Sequence, residues 1–372
     1  MSSSHHHQPD YVYLSLIAIL IVFGLVMLSS AGSVLGFQHF GDSNYFLKKQ
    51  AISLLVGLVF FAVTYSIDYQ RWKKWTVHMM IGTIVLLLAV FIPGIGSSLL
   101  GAHRWINLGV TLFQPSELAK LTFLFYLAAW FERRNHLMGS AREGLVPFLM
   151  TLGVVAGLVL LQPDLGTTII IVLMSVSVYF TAGGSIKYLS WVATGGVALL
   201  LLAVKVSPYR AQRLTVFLNP SIDPQGSGYH ISQALLAIGS GGWFGLGLGH
   251  SRQKFNYLPE PAGDSIFAVT AEELGFLFAV LFICIWLFLI FRGLRIARNA
   301  PDQFGRLLAI GITVWLGLQA FLNIAALSGL MPLTGIPLPF MSQGGSALII
   351  SLAAVGVIMN ISRQTVRSTK RI

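Results

Sequence analysis

The sequence predicts an all-α, polytopic membrane protein with ten transmembrane helices. Three observations carry that prediction. Of 372 residues, 55% are hydrophobic and only 10% charged. The mean hydropathy is +0.76. Ten apolar segments approach or exceed the roughly 20 helical residues that cross a bilayer. They run over 11–32, 50–66, 76–94, 116–131, 146–162, 165–182, 187–206, 265–291, 307–330 and 343–362. Only Gln162, Pro163 and Asp164 separate the fifth from the sixth, so a tight turn is expected there.

An even number of spans puts both termini on one side. Placing them in the cytoplasm leaves 15 of the 24 Lys and Arg on that side, as the positive-inside rule requires. Residues 207–264 then form a large extracytoplasmic loop between helices 7 and 8. Within it, Tyr229, Ile231, Ala234, Leu235 and Ile238 recur at helical spacing, which predicts a short helix on or dipping into the membrane. The domain reading is a disordered tail over 1–9, one transmembrane domain over 10–362 and a basic cytoplasmic tail over 363–372. His5, His6 and His7 lie in the first tail, where no fixed metal geometry is expected.

Other function classes find little support. The net charge of +11 comes from short loops between apolar spans, so it orients the chain in a membrane and does not form a nucleic-acid stripe. Cys284 is the one cysteine, which rules out a disulfide framework. The first apolar run lacks a preceding basic region, so no cleavable signal peptide is expected. Residues 239–249 read GSGGWFGLGLG, but no strand–helix pattern surrounds these glycines, and a tight backbone connection explains them better than a phosphate loop. No Walker loop, H-E-x-x-H, G-x-S-x-G or Asp-x-Asp pattern is present.

Ionisable residues gather at the ends of spans on the predicted outer side. Only 13 residues are Asp or Glu, so Glu260 and Asp264, where a polar loop meets an apolar helix, stand out. Desolvation at such a place lifts a carboxylate toward the pKa of a general base. Asp264 is equally suited to cap the helix that follows. Glu117 and Lys120 are one turn apart, either locking helices or lining a cavity. Arg210 and Arg213 have the spacing of a phosphate grip or of headgroup contacts. Arg104 and Asp164 sit at other span ends. Glu272 and Glu273, on the eighth helix, are expected to tie helices together or to support the site.

The ordered motifs HRWINLG with FQPSELAK, QPDLGT, YRAQRL-x-x-FLNP, GYHISQALLAIGSGG, LPEPAGDSIFAVTAEELG and PLPFMSQGGSA resemble the SEDS family of cell-wall polymerases over nearly the whole chain. The resemblance implies ten transmembrane helices in the bacterial cytoplasmic membrane and polymerisation of lipid II on its outer face. It implies that Asp264 is the essential carboxylate, taking the proton from the acceptor hydroxyl. Glu260, Arg104, Glu117, Lys120, Asp164, Arg210, Arg213 and Ser342 become supporting or substrate-binding residues. No cofactor is certain; a divalent cation such as Mg2+ or Mn2+ at Asp264 and Glu260 is the candidate. The implied partners are a class B penicillin-binding protein, a transpeptidase, and other divisome or elongasome membrane proteins. Pro261, Ala262 and Gly263 replace a segment that often ends in His-Thr, and Gln343 replaces a usual Tyr. YRAQRL-x-x-FLNP and VGVIMNISR look more like the division member, FtsW, whereas the short tails suit the elongation member, RodA. A lipid II flippase is the reading from a different class.

Overall fold

The computed structural model describes residues 8–365 except 100, 101, 108, 110, 111, 207, 220, 221, 224 and 225. The first seven residues of the N-terminal tail and residues 366–372 of the basic tail lie outside the described residues. Fourteen α-helices are described in chain order. They begin with α1 (Tyr11–Ala31), α2 (Ser33–Phe40), α3 (Tyr45–Ser66), α4 (Tyr69–Trp72) and α5 (Thr76–Ala89). A small sheet follows, made of β1 (Gly96–Leu99), β2 (Ala102–Asn107) and β3 (Leu112–Phe113). Then come α6 (Pro115–Arg133), α7 (Val146–Leu161), α8 (Leu165–Thr181), α9 (Ile186–Val206) and α10 (Pro208–Leu218). The chain ends with α11 (Ser227–Ser240), α12 (Ile266–Arg298), α13 (Gln303–Leu327) and α14 (Gly345–Arg363).

Each of the ten apolar segments holds one of these helices. Among the described residues, six helices are long and apolar enough to cross a membrane: α1, α3, the stretch Ala141–Leu161 containing α7, α12, α13 and α14. Helices α5 and α8 are apolar but shorter. Within 207–264 the expected amphipathic helix forms as α11. Two features depart from the sequence reading. The same segment also carries a second helix, α10. The link between α5 and α6 forms the antiparallel sheet β1-β2-β3, with Gly96 opposite Ile106 and Ile106 opposite Phe113.

Burial is inside-out in α3, as expected where lipid solvates the outer face. Its buried residues are Gln50, Gly57 and Thr64, one every seven positions, while Ile52, Leu55, Val59 and Phe60 are exposed. That seam packs on α14. Thr64 Oγ1 lies 2.9 Å from the Ala353 carbonyl, and a Cβ on Gly57 would sit 2.5 Å from Leu352 Cδ1. Helices α6, α13 and α14 are buried around most of their circumference and form the interior.

The two ends of the bundle differ. At one, Arg292 of α12 grips Asp10 before α1 at 2.6 Å, and the Asp10 N–H donates to Ser362 Oγ of α14 at 3.2 Å. Lys73 pairs with Glu132, and the Tyr69 hydroxyl donates to Asp302. At the opposite end, Ser30 near the close of α1 donates to Glu273 at 2.6 Å.

Helix α12 is broken at Gly275, whose φ of 79° and ψ of −179° are not helical. The glycine-rich segment fills the break. Leu246 and Gly247 N–H groups donate to the Glu272 and Glu273 carbonyls at 3.0 and 2.9 Å. The Gly242 and Trp243 carbonyls accept from Phe276 and Leu277 at 2.8 and 3.2 Å. These bonds satisfy four backbone groups beside the interruption, as buried backbone at membrane depth requires. Close approach explains the glycines: a Cβ on Gly245, at φ 81°, would fall 2.2 Å from the Glu273 carbonyl. Gly245→Ala is therefore expected to destabilise by more than about 2 kcal/mol. Gly153→Ala in α7, where a Cβ meets open space, should cost little. Thermal unfolding in detergent compares the two.

Candidate functional site

The half of α12 that precedes the break, from Ile266 to Glu273, is buried. The turn leading into it is stitched by main-chain bonds. The Glu260 carbonyl accepts from Gly263 at 3.0 Å and from Ser265 at 3.2 Å. Ser265 is the N-cap residue, so the expected cap by Asp264 is not what forms. The Asp264 carboxylate is left for other work. The residue is half-buried, and its Oδ1 is sealed without a hydrogen-bond partner among the described residues. Burial, and then the charge of Glu260, push its pKa up to about 6. Its own backbone N–H and the Arg213 guanidinium pull the other way. Glu260 is exposed and takes a left-handed φ of 47°.

Ser265 has a second task. Its hydroxyl donates to the Pro259 carbonyl at 2.7 Å and lies 2.6 Å from His230 Nε2 of α11. Because that hydroxyl proton is already committed, the imidazole must donate, which fixes the neutral Nε2–H tautomer. Burial, with Arg213 nearby, holds the His230 pKa down at about 4. His230 was not singled out from the sequence; its position in GYHISQ at the start of an amphipathic stretch was the available signal.

Opposite this turn runs the segment between α13 and α14, which is re-entrant. Phe340 and Met341 are buried. The Phe340 carbonyl sits where a Cβ on Gly24, midway along α1, would be 2.3 Å away. The Phe340 ring stacks 6.2 Å from Trp286 in the spanning half of α12. Non-helical backbone at that depth needs partners, and polar side chains supply them. Arg213 Nη1 of α10 donates to the Leu333 carbonyl at 2.8 Å. Asn323 Nδ2 donates to Ile336 at 2.8 Å, and Gln319 Nε2 to Pro337 at 3.0 Å. Ser342 Oγ accepts from the Leu338 N–H at 2.8 Å, and Gln50 Nε2 donates to the Ser342 carbonyl at 3.1 Å. The Gln343 N–H reaches back to the Ala262 carbonyl at 2.8 Å, joining this segment to the Asp264 turn.

The remaining predicted residues stand around that centre. Glu117 and Lys120 form a buried pair at 2.9 Å. Lys120 also donates to Gln319 at 2.8 Å and lies 4.8 Å over the Trp315 ring. Asp164 caps α8 by accepting from Thr167 at 3.1 Å, and its Oδ2 lies 3.3 Å from Gln114 Nε2. Arg104 donates to the Gln162 carbonyl at 3.2 Å and to that of Pro163, so it grips the turn beside Asp164. Next to Asp164, Gly166 leaves room for Ile336; a Cβ there would be 2.5 Å from Ile336 Cγ1. Arg210 lies on α10, and its side chain is outside the described residues. The structure thus gathers Asp264, Glu260 and Arg213 in one field, with Glu117, Lys120 and Ser342 bracing the re-entrant segment. Arg104 and Asp164 flank it at α8.

Glu272 and Glu273 serve the glycine-rich region. Glu272 accepts from the Ser251 hydroxyl and from the Arg252 N–H at 3.0 Å. Glu273 pairs with buried Lys254 at 2.9 Å. They hold the helix to the loop and to α1.

A multi-pass helical membrane protein with a raised carboxylate beside a re-entrant, polar-braced segment is the class that fold and site define. The sequence profile described as cell cycle protein, covering FtsW, RodA and SpoVE, matches residues 11–367, and the chain belongs to that family. It is 42% identical over 353 residues to a probable peptidoglycan glycosyltransferase FtsW of Geobacter sp. (strain M18), spanning 95% of this chain and 96% of that one. It is 40% identical over 356 residues to stage V sporulation protein E of Bacillus subtilis (strain 168), spanning 96% and 97%. Among solved structures, it is similar to a chain of a peptidoglycan synthase complex that coordinates polymerization and crosslinking. That match has a TM-score of 0.80 and 30% identity, covering 95% of this chain and 98% of that chain. Thermus thermophilus RodA matches with a TM-score of 0.71 and 28% identity, covering 96% and 97%.

Proposed function

We propose that this protein is an FtsW-like peptidoglycan glycosyltransferase that polymerises lipid II at the outer face of the bacterial cytoplasmic membrane. The single observation that carries the catalytic reading is the sealed, partnerless Asp264 Oδ1, on a carboxylate whose pKa is raised to about 6. All ten apolar helices are read as spans. The start of α1 and the end of α14 meet where Asp10, Arg292 and Ser362 are bonded, and positive-inside charge would assign that end to the cytoplasm. That leaves Asp264 outside.

In the reaction, Asp264 takes the proton of an acceptor sugar hydroxyl as its oxygen bonds to the donor's anomeric carbon. The bond from that carbon to the polyprenyl pyrophosphate oxygen breaks, and the leaving group departs with the electron pair. Arg213, already within the field of Asp264, supplies positive charge where the pyrophosphate develops its own. Among the described residues no three His, Cys, Asp or Glu cluster as a metal site. Two carboxylates nevertheless suit a hard divalent cation such as Mg2+ or Mn2+. Asp264 and Glu260 would hold such an ion, and it would supply countercharge to the pyrophosphate.

The similarity to a chain of a polymerization and crosslinking complex supports a transpeptidase partner of the class B penicillin-binding type. Purified protein given lipid II, with and without that partner, tests the reading. Glycan strands should form, and kcat/KM should fall on the acid side with a limb near pH 6, where Asp264 gains its proton. Translocation of lipid II across vesicles without polymerisation would replace this reading with transport.

A further inference from the structure

Asn323 belongs to no motif, yet it is the side chain that joins the Asp264 turn to the re-entrant segment. It is 2% exposed. Its Nδ2 donates one proton to the Asp264 carbonyl at 2.7 Å and the other to the Ile336 carbonyl at 2.8 Å. The amide orientation is therefore unambiguous, because the reverse flip would set Oδ1 against two carbonyl oxygens. That leaves Asn323 Oδ1 as a buried acceptor without a partner among the described residues, like Asp264 Oδ1. Gly335, next to Ile336 in the re-entrant segment, faces the carboxylate. A Cβ there would be 3.7 Å from Asp264 Oδ2, and the backbone φ is 66°.

We infer that Asn323 is a positioning residue for the general base: its two N–H bonds set the Asp264 backbone against Gly335 and so fix where the carboxylate meets the acceptor hydroxyl. This rests on the catalytic reading of Asp264. Ser265 with His230 of α11 holds the turn, Arg213 of α10 holds Leu333, and Asn323 spans the two segments with one rigid amide. A planar group with two donors meets that need; a hydroxyl or an apolar side chain of the same size does not.

Among the described residues, the charged and titratable groups around Asp264 are Glu260 on its own turn, Arg213 on α10 and His230 on α11. The test uses the full chain in lipid vesicles with lipid II, comparing Asn323→Leu, Asn323→Asp and Asp264→Asn with the parent. Asn323→Leu should lower kcat roughly 10- to 100-fold while KM stays within about threefold. Asn323→Asp removes both N–H donors and sets carboxyl oxygens against the Asp264 and Ile336 carbonyls, so it should lower kcat at least as far as Asn323→Leu, again with KM within about threefold. Each kcat is taken per folded molecule, counted by gel filtration and thermal unfolding. Parent-like kcat per folded molecule in Asn323→Leu or in Asn323→Asp overturns the positioning role. Activity surviving in Asp264→Asn overturns the catalytic reading instead, whatever Asn323 does.

Discussion

Asp264→Asn should abolish glycan polymerisation and at the same time make the folded protein more stable. Loss of a general base costs typically 10²- to 10⁴-fold in rate. The stability gain follows from the raised pKa. The Asp264 carboxyl titrates at about 6 in the folded chain against 3.8 when unperturbed, so ionising it opposes folding by up to about 3 kcal/mol at neutral pH. The sign is set by the direction of the shift. The penalty is absent below pH 3.8, grows between about 4 and 6, and is complete above 6. His230, held down at about 4, acts oppositely: the neutral ring favours the folded state above pH 6.5, and that contribution is lost as pH falls toward 4. The two effects partly cancel in the parent, so the useful quantity is the difference between parent and Asp264→Asn. That difference should be large at pH 7.5 and nearly vanish at pH 4, as measured by thermal unfolding in detergent. A variant as inactive as expected but no more stable at pH 7.5 would show that the carboxylate is not desolvated.

The second large effect concerns Lys120. Lys120→Met should destabilise by about 3–5 kcal/mol, because it leaves Glu117 buried without its counter-charge. The exposures of 1% and 3% for the two side chains leave little room for water to rescue it. Replacing both, in Glu117→Gln/Lys120→Met, should recover most of that loss, since an apolar or neutral pair avoids the desolvation cost. Activity should not recover in parallel. Lys120 also donates to Gln319, whose amide holds the Pro337 carbonyl, so both variants loosen the re-entrant segment. Equal recovery of stability and turnover would assign the pair to helix locking alone.

That each of the ten apolar segments holds a helix was legible because an apolar run of about 20 residues has few alternatives in a chain this poor in charge. Asp264 was legible as an expensive carboxylate, and the amphipathic stretch around Ile231 forms α11 as expected. The break at Gly275 was hidden because AEELGFLF keeps an apolar helical pattern on both sides, and the compensating backbone bonds come from glycines 30 residues upstream. The cap reading of Asp264 failed by one residue: the turn closes on the Glu260 carbonyl, which makes Ser265 the cap position. Arg104 donates from Nε and Nη2 to the Gln162 and Pro163 carbonyls, an arrangement no spacing rule reveals. Gln319 and Asn323 were passed over inside an apolar segment. Polar amides in such helices are costly unless they have partners, and here their partners are carbonyls of a segment that the sequence shows only as a loop.

That splice at Gly275 also bears on how the chain is made. The half-helix behind Asp264 hangs on residues 242–247, its turn on His230, and its far side on Asn323 and Gln343, all but the first pair distant in sequence. During synthesis the carboxylate emerges well before α13 and the segment after it. Until residues near 343 have been inserted, the bonds from Asn323 and Gln343 to the Asp264 turn are missing. On the proposed role of Asp264, a chain lacking the final hairpin is expected to be inactive.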